Sequence, residues 1–128
     1  MDPLRIIVVD DEPTQRELIG GFLRKQGHEV FLAGNGLEAL ARVRERQVDL
    51  VLSDCRMPGM SGPELLLGIK AINPEIPFLL VTAYGTVESA VQAMKLGAFD
   101  YLTKPVNLEE LVVTVHKALE ATSLRREV

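Results

Sequence analysis

The stretch Ile6-Ile7-Val8-Val9-Asp10-Asp11-Glu12-Pro13 decides the architecture. Four branched aliphatics in succession suit a strand buried on both faces, as in the middle of a parallel sheet. Three acids end the run, and Pro13 suits the first turn of a helix. Strand, acidic turn and helix therefore follow one another within a few residues. The same cadence recurs downstream. Val30-Phe31-Leu32-Ala33, Val48 to Leu52, Phe78-Leu79-Leu80-Val81 and Phe99-Asp100-Tyr101-Leu102 are short apolar runs separated by segments of helical period.

The helical segments have their own markers. Leu18, Ile19, Phe22 and Leu23 outline a first helix that Gly27 ends. Leu37, Leu40, Ala41 and Val43 outline a second; Leu65, Leu66 and Ile69 a third; Val87, Ala90, Val91 and Met94 a fourth, stopped by Gly97. Leu108, Leu111, Val112, Val115, Ala118 and Leu119 make a fifth. Five β–α units joined by short connections predict an α/β fold with one parallel sheet covered on both faces. The second run, preceded by His28-Glu29, and the fifth, interrupted by Asp100, read as edges. The expected strand order is 2-1-3-4-5, the flavodoxin-like doubly wound (βα)5 arrangement with five parallel strands. Residues 1–122 are expected to form this domain, with 123–128 turning polar as the start of a C-terminal linker or tail.

Length and charge narrow the functions. The 128 residues suffice for one domain, and 14 basic against 18 acidic side chains leave no dense basic face for a phosphate backbone. One cysteine excludes an internal disulfide, and two histidines, His28 and His116, are too few for a structural zinc site. Nothing near Met1 reads as a signal peptide, and no apolar run approaches a membrane span. The expectation is a soluble cytoplasmic protein without direct nucleic-acid binding.

Ligands of open parallel sheets bind beyond the carboxyl ends of the strands, beside the point where strand order reverses. Strand one runs into Asp10-Asp11-Glu12, strand three into Ser53-Asp54, strand four into Thr82-Ala83 and strand five into Thr103-Lys104-Pro105. Carboxylates gathered there repel by roughly 4 kcal/mol per pair at an effective dielectric of about 20. A cation relieves that repulsion. Oxygen ligands without sulfur or imidazole suit a hard ion, magnesium in particular, which neutralises phosphoryl oxygens, and a lysine adds a second positive charge. Asp54 beside both is a candidate nucleophile able to form an acyl phosphate, and Thr82 a donor to a phosphoryl oxygen.

Plainer roles exist for each residue. Asp11 or Glu12 suits a helix cap, Asp54 an Asx-turn, Thr82 a strand end and Lys104 a surface charge. Gly34-Asn35-Gly36-Leu37-Glu38-Ala39 fits G-x-G-x-x-A between strand and helix, yet it follows an edge strand, whereas a dinucleotide fingerprint belongs on the central first strand. It reads as a turn and helix entry. Cys55 lacks a neighbouring base, and acidic surroundings would raise its pKa.

Together the residues resemble a known family. Val9-Asp10-Asp11-Glu12, then Asp54 with Met57-Pro58-Gly59-Met60 and Gly62, then Thr82-Ala83, then Tyr101-Leu102 with Lys104-Pro105 look like the receiver domain of two-component response regulators. The likeness spans about residues 4 to 121. Thr82 to Glu88 and Ala93 to Tyr101 are similar to receivers of the nitrogen-regulation class, which usually precede an AAA+ ATPase acting on sigma-54 RNA polymerase and a DNA-binding helix-turn-helix.

The resemblance implies that Asp54 accepts a phosphoryl group from a sensor histidine kinase. Asp10, Asp11, Asp54 and the backbone carbonyl of Arg56 would hold Mg2+, with Lys104 pairing with Asp54 or its phosphate through a cis Lys104-Pro105 bond. Thr82 and Tyr101 would be the switch residues, remodelling the face of helix four, strand five and helix five. Arg56 and Tyr84 would tune hydrolysis. The kinase would dock at Thr14, Gln15, Glu17 and Leu18, and activation would form a homodimer to which Val106 and Val113 are available if the core does not take them. The output domain would lie in the same full-length chain. The domain would be a phosphoacceptor switch rather than an enzyme. A magnesium-dependent phosphohydrolase is the rival, but haloacid-dehalogenase-type enzymes want an aspartate where this chain has Arg56. A flavin or nucleotide module is disfavoured by 5% aromatic content.

Overall fold

The computed structural model describes residues 4–83 and 87–127, with Ser89 and residues 122–127 described by backbone alone. Along the chain come β1 (Arg5–Val9), α1 (Pro13–Lys25), β2 (Glu29–Ala33), α2 (Gly36–Glu45), β3 (Leu50–Asp54), α3 (Gly62–Ile72), β4 (Phe78–Thr82), α4 (Val87–Lys95), β5 (Asp100–Thr103) and α5 (Leu108–Glu127). All pairings are parallel, and the order is β2-β1-β3-β4-β5, as the sequence predicts. Strands β3 and β4 are buried throughout, β1 in all but its first residue, and β2 and β5 have the mixed exposure of edges.

Alternation along the strands builds two cores. Ile7, Val9, Val51, Phe78 and Leu80 face one way, onto Leu40 and Val43 of α2, Leu65, Leu66 and Ile69 of α3 and Ala93 of α4. Ile6, Val8, Leu50, Leu52, Leu79 and Val81 face the other, onto Ile19 and Leu23 of α1 and Leu111 and Val115 of α5. No described helix is long and apolar enough to cross a membrane.

Local chemistry explains the element ends. Glu12 caps α1, accepting the N–H groups of Thr14 and Gln15, and Pro13 opens the helix. Ser61 and Glu64 form a reciprocal capping box on α3. Gly97, at φ 103°, turns the chain out of α4 where a side chain would strain the backbone. The Gly34–Ala39 stretch is a helix entry as expected: Asn35 caps α2 by accepting the Glu38 N–H at 2.8 Å.

Three expectations need adjustment. Strand three begins at Leu50 rather than Val48, because the Asp49 carboxylate takes the Arg5 N–H at 2.8 Å and bends the chain before the ladder starts. Its far end runs through Ser53 and Asp54, so Asp54 is a strand residue, in register with Val81. On α4, Val87, Val91 and Met94 do not form the buried face; they are 80%, 46% and 47% exposed, while Ala93 is 2% exposed. The small Ala93 side chain meets the core, and the larger apolar side chains Val87, Val91 and Met94 are left outside. Leu18 and Leu37 likewise face outward. Helix α5 continues through residues 123–127, the polar end of the chain.

Gly62 ties the fold to the rim of the sheet. A Cβ there would stand 2.5 Å from the Asp54 carbonyl oxygen, 2.7 Å from Leu80 Cδ1 and 3.0 Å from Cys55 Cα. Two of those atoms are backbone, so the clash cannot be relieved by a rotamer change. Gly62→Ala should therefore cost about 1–3 kcal/mol in urea unfolding, and an unchanged midpoint would contradict this packing.

Candidate functional site

Three strand ends and one following turn deliver the site. Asp10 leaves β1 and is 3% exposed; its Oδ1 accepts the Glu12 N–H at 2.9 Å. Asp11 follows on the exposed side. Asp54 closes β3 and is 9% exposed. Each of these three acids offers a carboxylate oxygen, and the three oxygens lie within 4.8 Å of one another. Lys104, just beyond β5, extends Nζ to 3.0 Å from Asp54 Oδ1 and 3.7 Å from Asp10 Oδ2. Its backbone N–H donates to the Thr82 carbonyl at 2.8 Å, and the Lys104–Pro105 bond is cis.

The electrostatics follow from that packing. Burial raises the Asp10 pKa, the nearby Asp54 and Asp11 charges add to the rise, and the Glu12 N–H and Lys104 offset only part of it. Burial works against the Lys104 ammonium, but its hydrogen bond to Asp54 and the charges of Asp10 and Asp54 outweigh that, and its pKa lies above the ordinary lysine value. Ionised, three carboxylates and one ammonium leave two negative charges uncompensated. A small divalent cation with oxygen preference, such as magnesium, fits both the charge and the donor set.

Other residues singled out from the sequence surround this cluster. Thr82 closes β4, is buried, and hydrogen-bonds the Cys55 side chain. Burial first, and then the Asp54 charge, push the Cys55 thiol pKa up, which leaves it a poor nucleophile. Tyr101 is half-buried against the α2–α3–α4 core. Arg56 is exposed and lines an open depression of about 350 Å³ with Cys55, Met57, Pro58 and Ser61. Tyr84 lies outside the described residues. Glu12, grouped with the acids by sequence, instead caps α1. Arg16 was not legible as part of the site: its guanidinium donates to the Asp10 carbonyl at 2.7 Å, a contact made by helix α1 turning back over the end of β1.

A doubly wound parallel sheet whose central strands gather acids at the switch point, with a lysine supplied after the last strand, defines a receiver-type signalling domain. Residues 6–116 match the response regulator receiver domain, and the chain belongs to that family. It is similar to the transcriptional regulatory protein ZraR of Klebsiella oxytoca, 49% identical over 93% of this chain and 27% of that protein. It is also similar to the nitrogen assimilation regulatory protein NtrX of Azorhizobium caulinodans, 40% identical over 96% of this chain and 28% of that one. Among solved structures, NtrX from Brucella abortus superposes with a TM-score of 0.93 at 37% identity, covering 98% of this chain and 29% of that chain. The chain thus spans little more than a quarter of these relatives. Membership makes it a signalling switch of the response-regulator kind, not a classical enzyme.

The raised Asp10 pKa has a stability consequence. Asp10 favours the fold fully below the ordinary carboxylate value of 3.8, and this contribution is lost as pH rises through its higher folded-state pKa. Asp10→Asn keeps an acceptor for the Glu12 N–H and removes the charge. In calorimetry at pH 7 the metal-free variant should melt a few degrees above wild type, the gain shrinking as pH falls toward the ordinary carboxylate value. A lower melting temperature would mean that the Lys104 contact outweighs burial and repulsion.

Proposed function

We propose that this domain is the phosphorylation-operated receiver of a two-component response regulator, with Asp54 as phosphoacceptor. A carboxylate oxygen of Asp54 forms the bond to phosphorus while the bond from phosphorus to a histidine nitrogen of the sensor kinase breaks, leaving the imidazole behind. The observation that carries this reading is Lys104 Nζ 3.0 Å from Asp54 Oδ1, beside two further carboxylates at the rim. Asp10, Asp11, Asp54 and the Arg56 carbonyl are the residues that would hold Mg2+. Bound there, the ion supplies positive charge to phosphoryl oxygens. Phosphorylation turns the charged Asp54 carboxylate into an acyl phosphate, and the Lys104 ammonium then pairs with the phosphoryl group.

Thr82, at the end of β4 and directly before the segment leading to α4, is the hydroxyl donor to that group, and Tyr101 follows it inward from β5. The phosphate must favour the active arrangement by about 5.5 kcal/mol to turn a 1:99 population into 99:1. The outward Val87, Val91 and Met94 of α4 and Val113 of α5 support a homodimer on the α4–β5–α5 face. Val106 packs into the α1–α5 core instead. Arg56 and Tyr84, each two places after Asp54 and Thr82 in sequence, tune phosphate lifetime. The kinase docks at the start of α1, around Thr14, Gln15, Glu17 and the 56% exposed Leu18.

The span of little more than a quarter of the relatives supports a longer cytoplasmic protein, in which residues 1–122 are the receiver and 123–128 begin the connection to output. That output is an AAA+ module and a DNA-binding module serving sigma-54-dependent transcription. The acidic balance of the receiver leaves DNA contact to them.

Incubation with magnesium and acetyl phosphate tests the acceptor. Wild type should take up at most one acid-stable, base-labile phosphoryl group per chain and Asp54→Asn none; label on the variant would refute the assignment, and repeated turnover of a phosphate ester would favour a phosphohydrolase. Asp11→Ala should abolish the rise in melting temperature that magnesium confers on wild type, and an equal rise in both would remove Asp11 from the metal site.

A further inference from the structure

The carbonyl oxygen of Asp10 is held by a side chain where the sheet would ordinarily supply backbone. Strands β1 and β2 stay in register through Val9 and Ala33, and the Asp10 N–H continues the ladder onto the Ala33 carbonyl at 3.1 Å. The next rung would bring the Asn35 N–H to the Asp10 carbonyl. Asn35 turns away instead to cap α2. Arg16, on α1, fills the gap, donating from Nη1 to the Asp10 carbonyl oxygen at 2.7 Å. The same nitrogen lies 3.2 Å from where a Cβ on Gly34 would stand, so the missing side chain at position 34 leaves the guanidinium its place. Glu38, whose Oε2 accepts the Gly34 N–H at 3.2 Å, holds the other side of that turn.

What this bond fixes is the peptide between Asp10 and Asp11. The Asp10 carboxylate has supports of its own in the Glu12 N–H and Lys104. Asp11 is exposed, and among the described residues no hydrogen bond or ion pair holds its carboxylate. Where that side chain points therefore depends on the backbone that carries it. We propose that Arg16 is a positioning residue of the acidic site: by clamping the Asp10 carbonyl it sets the Asp10–Asp11 peptide and aims the Asp11 carboxylate at the divalent cation. This rests on the reading of Asp10, Asp11 and Asp54 as a magnesium site. A guanidinium donor makes a short, charge-assisted bond beside the Gly34 turn; a lysine retains the charge but not the planar fork.

Isothermal titration calorimetry with magnesium chloride, on the 128-residue chain, compares wild type with Arg16→Met and Arg16→Lys. Groups that orient metal ligands commonly change metal affinity by tenfold or more. The dissociation constant should rise about tenfold in Arg16→Met, with Arg16→Lys in between. Melting temperatures of the metal-free proteins are measured alongside, since a merely structural prop lowers those and leaves the magnesium affinity where it was. Equal dissociation constants in all three proteins overturn the proposal whatever the melting temperatures do. If Arg16→Met does not fold, Arg16→Lys against wild type decides it by the same criterion. A wild type that takes no magnesium overturns the metal reading itself, and the role of Arg16 with it, whereas a magnesium-binding wild type with unaffected variants overturns the role of Arg16 alone.

Discussion

Mutual repulsion among three carboxylates is the constraint around which this molecule is arranged. Oxygens of Asp10, Asp11 and Asp54 within 4.8 Å of one another repel by roughly 3 kcal/mol per pair at an effective dielectric of about 20. Lys104 answers part of that, from a backbone whose N–H is bonded to the last carbonyl of β4. One ammonium cannot balance three anions. The remaining imbalance is one that a cation at the rim would relieve.

The sheet holds the groups close enough for this to matter. Parallel strands end together, so residues distant in sequence meet at one edge, and the buried strand interiors leave little freedom for Asp54 or Thr82 to drift. Gly62 lets α3 begin directly against the Asp54 carbonyl. Helix α4 is attached differently. It meets the core through Ala93 and turns Val87, Val91 and Met94 outward, so it buries less apolar area than its composition allows. A helix held by one small side chain loses less on moving than one anchored by leucines.

The fold was legible because its signals are local and repeated: aliphatic runs, glycine stops, proline starts and alternating burial. Most of the site was legible for the same reason, since each residue sits immediately beyond or at the end of a recognisable strand. The misreadings have physical causes. Helical spacing finds an apolar face but not which face meets the sheet, hence Val87, Val91 and Met94. For Glu12 the sequence leaves both a place among the acids and a cap on α1 open, and the structure decides for the cap. Arg16 has no motif around it; its role comes from a helix folding back over a strand end.

From the sequence alone come the order of elements, the central and edge strands, the acids and lysine at the strand ends and the receiver likeness. These depend on side-chain period and on chemistry carried by single residues. Only the tertiary structure decides distances and partners: Lys104 nearer Asp54 than Asp10, Glu12 outside the acid cluster, Arg16 on the Asp10 carbonyl and α4 facing outward. Those outcomes depend on how elements far apart in the chain pack against one another, which no local pattern encodes.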